Sequence, residues 1–426
     1  MDSYHITGGN ALEGEYRLKG AKNAVLPILA ATIVTGSISR IKNCPRLSDI
    51  RTMISILKDM GCRVAWDGHD ILVDSSPLKS FCIPQNLMKE IRSSVFLMGP
   101  TLARCKEAVL SDPGGCAIGM RPIDIHLTAL RLLGVDIKEK DGLLVCRAEA
   151  LKGTVIPLSF PSVGATENVM MAALTAEGET LIQNAAKEPE IVDLQNYLVS
   201  CGAGISGAGS SEIRITGGLP LHETEYDPVP DRIEAGTILT AAAATGGSVC
   251  IRGAVSGHMN AVLDCLTEAG CIIKIYDDSI CLQSGEALKS VKAMETKPYP
   301  GFPTDMQSQF MALMCIAEGT TEITESIFEN RFKHVTGLTR MGADITIDGR
   351  KAIIKGVERL HGRRVRAGDL RGGAALVIAG LSAEGCTIVD DVAHIDRGYE
   401  KLENILTSLG AQITRTTRVD DADEII

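Results

Sequence analysis

Six times along the chain an amphipathic helix pattern closes on a glycine, and two short strand-like runs follow. The glycines are Gly61, Gly134, Gly202, Gly270, Gly342 and Gly410, with flanks ILKDMGCRVAW, LRLLGVDIKEK, YLVSCGAGISG, CLTEAGCIIKI, LTRMGADITID and ILTSLGAQITR. Before each glycine the apolar residues fall on one helical face, and after it the runs are those of half-buried strands. Successive glycines stand 73, 68, 68, 72 and 68 residues apart, which makes the chain a sixfold repeat.

Each unit also has an earlier landmark, a small-residue helix that ends before a short strand. It reads VTGSISRI, AEGETLIQ, TGGSVCIR, AEGTTEIT and AEGCTIVD in five units, with 23 to 25 residues from its glycine to the later one. In the second unit Cys105 stands in that place and the interval is 29 residues. The excess falls in 111–122, SDPGGCAIGMRP. A glycine-rich insertion in one copy of a regular scaffold points to a functional loop.

A unit therefore reads helix, strand, loop, helix, glycine, strand, turn, strand. The segment 217–230, GGLPLHETEYDPVP, has the composition of a linker between the third and fourth units. The expectation is an α/β protein of two similar three-unit domains. The first is 22–229 and carries the loop 111–122; the second is 1–21 plus 230–426. The strand-like pair in 1–21 lacks partners in the first unit and is expected to complete the last one.

Composition narrows the function classes. Of 426 residues 45% are apolar but only 4% aromatic, so small aliphatic side chains make the cores. The net charge of −10 is spread without a basic block, which argues against nucleic acid as a partner. No 18-residue apolar span and no leader-like start are present, so neither membrane nor export is expected. The 13 cysteines include no C-x-x-C pair, and Cys250 and Cys315, set in apolar runs, read as small buried hydrophobes in a reducing cytoplasm. The eight histidines have no metal-ligand spacing, and no metal or cofactor is expected.

Chemistry gathers just before the first helix of each unit. The residues there are Lys22-Asn23, Arg92, Gly164, Arg232, Asp305 and Asp369-Leu370-Arg371. Helix N-termini favour anions, and lysine and arginine are poor caps there. Helix starts that share a cleft would gather cations for a multiply charged, phosphate-bearing ligand.

In this order the motifs GAKNAVLP, PGGCAIGMRPIDIHL, PSVGATENVMMAA, YPGFPTDMQSQF, ENRFKHV, GDLRGGAALVIAGL and HIDRGYE resemble the UDP-N-acetylglucosamine 1-carboxyvinyltransferase family of enolpyruvyl transferases. The resemblance implies two inside-out α/β domains with a cleft between them. It also implies transfer of the enolpyruvyl group of phosphoenolpyruvate to the 3-hydroxyl of UDP-N-acetylglucosamine, releasing phosphate, as the first committed step of peptidoglycan synthesis. Cys116, Asp305, Lys22 and Asp369 match its catalytic positions, with Asp305 the base and Cys116 the acid or adduct-forming thiol. Lys22, Asn23, Arg92, Cys116, Arg121, Arg371 and Arg397 match the phosphoenolpyruvate site. Asn23, Arg92, Arg121, Pro122, Asp124, His126, Ser162, Val163, Gly164, Asp305, Ile327 and Phe328 match the UDP-N-acetylglucosamine site. The residues Glu329-Asn330-Arg331 complete its far wall. Phe160 departs from the family, where many members carry a lysine. The resemblance further implies a cytoplasmic monomer whose halves close on the substrates with 111–122 as a lid. Two rivals are a shikimate-type enolpyruvyl transferase and a non-catalytic nucleotide-sugar-binding paralogue. The loop and RPIDIHL weigh against the first, and the acid, base and donor cations against the second.

Overall fold

Three helices in each half of the chain carry almost no residue that faces water. In the first of them, Lys22–Thr35, every residue but Asn23 is buried, and a helix apolar on all sides belongs in a core. The second helix of the same repeat, Ser48–Asp59, buries Ile50, Met53, Ile54, Ile56 and Leu57 while exposing Arg51, Ser55, Lys58 and Asp59. The first kind of helix fills the centre and the second lies over it.

The computed structural model describes residues 2–111, 114, 118–119 and 122–417. It divides into two compact units, one of Lys19–Cys116 and Arg121–Val229, the other of Met1–Leu18, Ala117–Met120 and Pro230–Ile426. In the Lys19–Val229 unit the helices Lys22–Thr35, Met98–Cys105 and Val163–Ala173 pack on one another. In the other unit Arg232–Ala244, Thr304–Met314 and Leu370–Ser382 do the same. Among the described residues six small sheets, five of four strands and one of three, pack on these helices. Their strands alternate buried and exposed residues, as Glu212–Thr216 does, so each sheet has a wet outer face.

The repeat is plain in the pairing. In the third repeat the short strand Val155–Pro157 runs parallel to Glu179–Gln183, which pairs antiparallel with Glu212–Thr216. The sixth repeat has the same pattern: Arg364–Arg366 runs parallel to Cys386–Asp390. Here the N-terminal strand Asp2–Thr7 lies between Cys386–Asp390 and Gln412–Thr417, pairing antiparallel with both. The second strand of the N-terminal pair departs from the expectation that both complete the last repeat: Glu13–Arg17 runs parallel to Ser248–Arg252 in the fourth. The segment 217–230 is more than a linker. Its Thr224–Tyr226 is a strand parallel to Ile38–Ile41, and Tyr226 donates its hydroxyl to Asp193 Oδ1 at 2.6 Å. Charge and proline masked a strand of only three residues.

Cys250 also departs from expectation. Alternation along Ser248–Arg252 buries Val249 and Ile251 and turns Cys250 to the outer face, half-buried. There the antiparallel register sets it opposite Cys281, and the two form a disulfide with Cα atoms 4.0 Å apart. Cys315 is buried and free, as the sequence indicated.

All six repeat glycines have left-handed backbones, with φ of +105°, +93°, +99°, +96°, +102° and +99° in chain order. The chain must reverse from helix to strand within one residue, and a side chain resists that geometry. At Gly134 an added Cβ would meet nothing nearer than Ala150 O at 3.5 Å, so Gly134→Ala isolates the backbone cost. It should destabilise by about 1–2 kcal/mol in urea unfolding. Gly257→Ala, outside the left-handed region and in open space, should stay within about 0.5 kcal/mol. Equal stabilities for the two variants would contradict the backbone explanation.

Candidate active site

In the Lys19–Val229 unit, Lys22 is the first residue of its helix, and no side chain caps that end. Its Nζ lies 2.7 Å from Asp49 Oδ2, with 11% and 5% of the two side chains exposed. Asp49 sits in the first turn of Ser48–Asp59. A buried ammonium requires such a partner. Asn23 beside it is half-buried. Arg92, also half-buried, opens the 3-10 turn Arg92–Leu97 that leads into Met98–Cys105.

Of the predicted nucleotide residues, Ser162, Val163, Gly164 and His126 meet at the start of Val163–Ala173. Ser162 caps this helix by accepting from Ala165 N–H at 3.3 Å. Gly164, on its first turn, lies against the rings of His126 and Phe96. His126 is buried, and its Nδ1 is 2.9 Å from Asn168 Nδ2. Burial and the charge of Arg92 lower its pKa to about 4, against a smaller opposing effect of Asp124. Pro122 and Asp124 are exposed, as is Phe160. Cys116 and Arg121 lie outside the described residues.

In the other unit Asp305 occupies the second position of Thr304–Met314, a helix whose N-cap, Pro303, supplies no side-chain hydrogen bond. Its Oδ1 accepts from Arg331 Nη2 at 2.7 Å and its Oδ2 from Arg371 Nη2 at 3.0 Å. The arginine side chains are 4% and 3% exposed, that of Asp305 30%. Asp305 is thus the wet member of a cluster otherwise out of water. Buried Arg371 Nε, Arg371 Nη1 and Arg331 Nε have no hydrogen-bond partner among the described residues. Burial opposes the charge on Arg371, but Tyr399, Asp305 and Asp231 outweigh it and hold its pKa above the usual value. Unsatisfied buried guanidinium donors suit a carboxylate or phosphate.

Asp369 is the N-cap of Leu370–Ser382: its Oδ1 accepts from the N–H groups of Arg371 and Gly372 at 3.1 and 3.0 Å. It thereby fixes the backbone that carries Arg371. Arg397 ends the 3-10 turn Val392–Arg397, half-buried. Tyr399 follows, with its ring 5.3 Å from the Arg371 guanidinium carbon.

Ile327 and Phe328 are held through their backbones by a residue the sequence did not single out. Buried Glu325 Oε1 accepts from Ile327 N–H, Phe328 N–H and Thr296 Oγ1, and Oε2 accepts from Thr304 Oγ1. One carboxylate therefore ties the 327–328 turn to the start of the Asp305 helix. Buried His334, whose ring nitrogens have no partner among the described residues, was also missed. Burial and Arg331 lower its pKa to about 4 although Asp369 pulls it up. No spacing rule marks Glu325 or Asp49; their importance comes from the buried donors that converge on them. Among the described residues no group of His, Cys, Asp or Glu is placed to hold a metal ion, and no helix is long and apolar enough to cross a membrane.

The fold and these helix-start residues define an enolpyruvyl transferase. The structure matches that of the enolpyruvyl transferase NikO from Streptomyces tendae with a TM-score of 0.88 at 26% identity, over 98% of this chain and 99% of that one. EPSP synthase from Acinetobacter baumannii, 19% identical, shares the fold with a TM-score of 0.74 over 98% of this chain and 100% of its own. Residues 6–406 match the EPSP synthase (3-phosphoshikimate 1-carboxyvinyltransferase) family, and the chain belongs to that family. Among curated relatives, UDP-N-acetylglucosamine 1-carboxyvinyltransferase 2 of Caldanaerobacter subterraneus is 53% identical over 97% of this chain and 100% of its own. UDP-N-acetylglucosamine 1-carboxyvinyltransferase 1 of Carboxydothermus hydrogenoformans is 48% identical over 97% of this chain and 98% of its own.

Glu325→Ala would strand two buried N–H groups and two hydroxyls, and should cost more than about 2 kcal/mol. Glu325→Gln, which keeps an acceptor for the turn, should cost less. Urea unfolding of the two variants checks the order, and equal losses would remove the carboxylate's special role.

Proposed function

We propose that the protein transfers the enolpyruvyl group of phosphoenolpyruvate to the 3-hydroxyl of UDP-N-acetylglucosamine, and that its product enters peptidoglycan synthesis. The observation that carries this reading is the cluster of Asp305, Arg331 and Arg371, in which buried cation donors stand beside a half-buried carboxylate. The near full-length relatives carrying that enzyme's name support the choice of acceptor.

In the proposed sequence Asp305 takes the proton of the 3-hydroxyl as its oxygen bonds to C2 of phosphoenolpyruvate. The C2–C3 π pair takes a proton at C3 from an acid, a role assigned to Cys116. The resulting adduct has a methyl group, and its C2 carries the carboxylate, the phosphate and the sugar oxygen. Loss of a methyl proton then re-forms the double bond and expels phosphate. Arg371 and Arg397, with Lys22, Arg92 and Arg121, would hold the donor's carboxylate and phosphate, the arginines by their forked geometry. Asn23 would bridge donor and acceptor, and Asp369 would keep Arg371 aimed. Pro122, Asp124, His126, Ser162, Val163 and Gly164 would take the uridine diphosphate, with Ile327 and Phe328 on the sugar side. Both substrates carry phosphate charges that resist crossing a bilayer, so the reaction is assigned to the cytoplasm. One chain carries the whole set, which is consistent with a monomer.

Phosphate release should require phosphoenolpyruvate together with UDP-N-acetylglucosamine, and shikimate 3-phosphate should not replace the sugar nucleotide. Release with shikimate 3-phosphate alone would transfer the protein to the other branch of the family. Asp305→Asn keeps the shape and removes the basicity, so kcat should fall about 10²–10⁴-fold with folding intact. A loss smaller than about tenfold would remove Asp305 as the base.

A further inference from the structure

One fully buried amide, Asn168, joins four segments around the proposed nucleotide loop. Its Oδ1 accepts from Gly99 N–H at 2.6 Å. Its Nδ2 donates to Val95 O at 3.0 Å and lies 2.9 Å from His126 Nδ1, with Gly164 O a longer third neighbour at 3.3 Å that can only share one of the two hydrogens. The two ends of an amide look alike by shape, but these neighbours distinguish them. Gly99 N–H can only donate and Val95 O can only accept. The amide nitrogen must therefore face Val95, and its second hydrogen meets His126 Nδ1. A ring nitrogen that receives an N–H carries a lone pair, so the imidazole proton sits on Nε2.

Close packing holds this arrangement. A Cβ at Gly99 would come within 2.2 Å of Asn168 O and 2.9 Å of its Oδ1. A Cβ at Gly164 would lie 3.0 Å from His126 Cε1 and 3.3 Å from Nε2. The Nε2 edge of the ring thus rests against the first turn of the helix capped by Ser162. Among the described residues none accepts from Nε2. An imidazolium would turn a second N–H against the Asn168 amide, and the Arg92 charge opposes it as well. Asp124, on the ring's own helix, acts weakly the other way, and the balance leaves the ring neutral.

We infer that Asn168 is a positioning residue: it fixes His126 as the neutral Nε2–H tautomer, so that His126 presents one hydrogen-bond donor to an acceptor oxygen of the uridine diphosphate. This rests on the assignment of His126 and Ser162–Val163–Gly164 to the nucleotide. It adds a specific chemical state and the residue that sets it. The donor is present throughout the physiological pH range because it does not depend on protonating the ring.

Histidine-selective ¹⁵N labelling of the whole protein tests this without a variant that must fold, with His126→Gln used only to assign the signal. Nδ1 of His126 should report a lone pair and Nε2 a bound proton from pH 5.5 to 8.5, and Nε2 should shift when UDP-N-acetylglucosamine is added. A proton on Nδ1, or titration inside that range, overturns the inference even when the nucleotide shifts the signal. A correct tautomer with no response to saturating nucleotide overturns instead the assignment of His126 to the nucleotide, and the inference with it. Asn168→Asp supplies a kinetic readout. Its carboxylate favours a proton on Nδ1 and raises the ring's pKa. Below that pKa both nitrogens are protonated and Nε2 still donates; above it Nε2 loses the proton. KM for the nucleotide-sugar should therefore rise about tenfold with increasing pH, the value of one hydrogen bond, while kcat at saturation changes little. In a His126→Gln background the same substitution should add no pH dependence. A pH-independent loss, equal in both backgrounds, would mean that Asn168 acts only on packing.

Discussion

A guanidinium withdrawn from water has to be matched by negative charge, and one carboxylate matches two of them in the Pro230–Ile426 part of the chain. Arg331 and Arg371 both reach Asp305. Removing a partner from such a cluster strands a buried charge, which costs several kcal/mol. The cluster therefore constrains everything around it. The Asp305 helix must start where both arginines can reach it, and Glu325 ties that start to the 327–328 turn. The Arg371 helix must start beside it, and Asp369 caps that start. The donors left over on the arginines are then fixed in space, and the proposed reaction would use that preorganisation to stabilise its transition state.

The repeat explains how one chain could build such a place. Each repeat contributes a buried helix, and a glycine reversal returns the chain for the next copy. Both are cheap to duplicate. The copies differ in the charged and polar groups around the helix starts: Lys22 with Asp49 in one, His126 with Asn168 across two, and Asp305 with its arginines in the other unit. A uniform scaffold carries non-uniform helix starts.

Much of this was legible in the sequence because it rests on local rules. The six glycines were visible as pattern breaks, and all six have the left-handed backbone that makes glycine necessary. The buried helices were visible as small-residue runs with little charge. What escaped depends on residues far apart in sequence. The disulfide between Cys250 and Cys281 needs the strand register, whereas burial of Cys315 needs only its apolar neighbours. Thr224–Tyr226 reads as linker because three polar residues form a strand only beside Ile38–Ile41. Glu325, Asp49 and Asn168 look like ordinary polar residues until their partners are located. Asp305 and Arg371 stood out in the sequence as candidates, but the ion-pair cluster they form with Arg331 did not.

The central claim is that this charged cluster drives addition followed by elimination at one carbon of the donor, with UDP-N-acetylglucosamine as the acceptor. Turnover in D₂O, followed by proton NMR of the sugar-nucleotide product, tests it most directly. Addition places a solvent proton on C3 and makes a methyl group, and elimination removes one of its three hydrogens. The account predicts deuterium in the vinyl methylene of the product, appearing as phosphate is released. A product whose methylene stays fully protonated through complete turnover would contradict it.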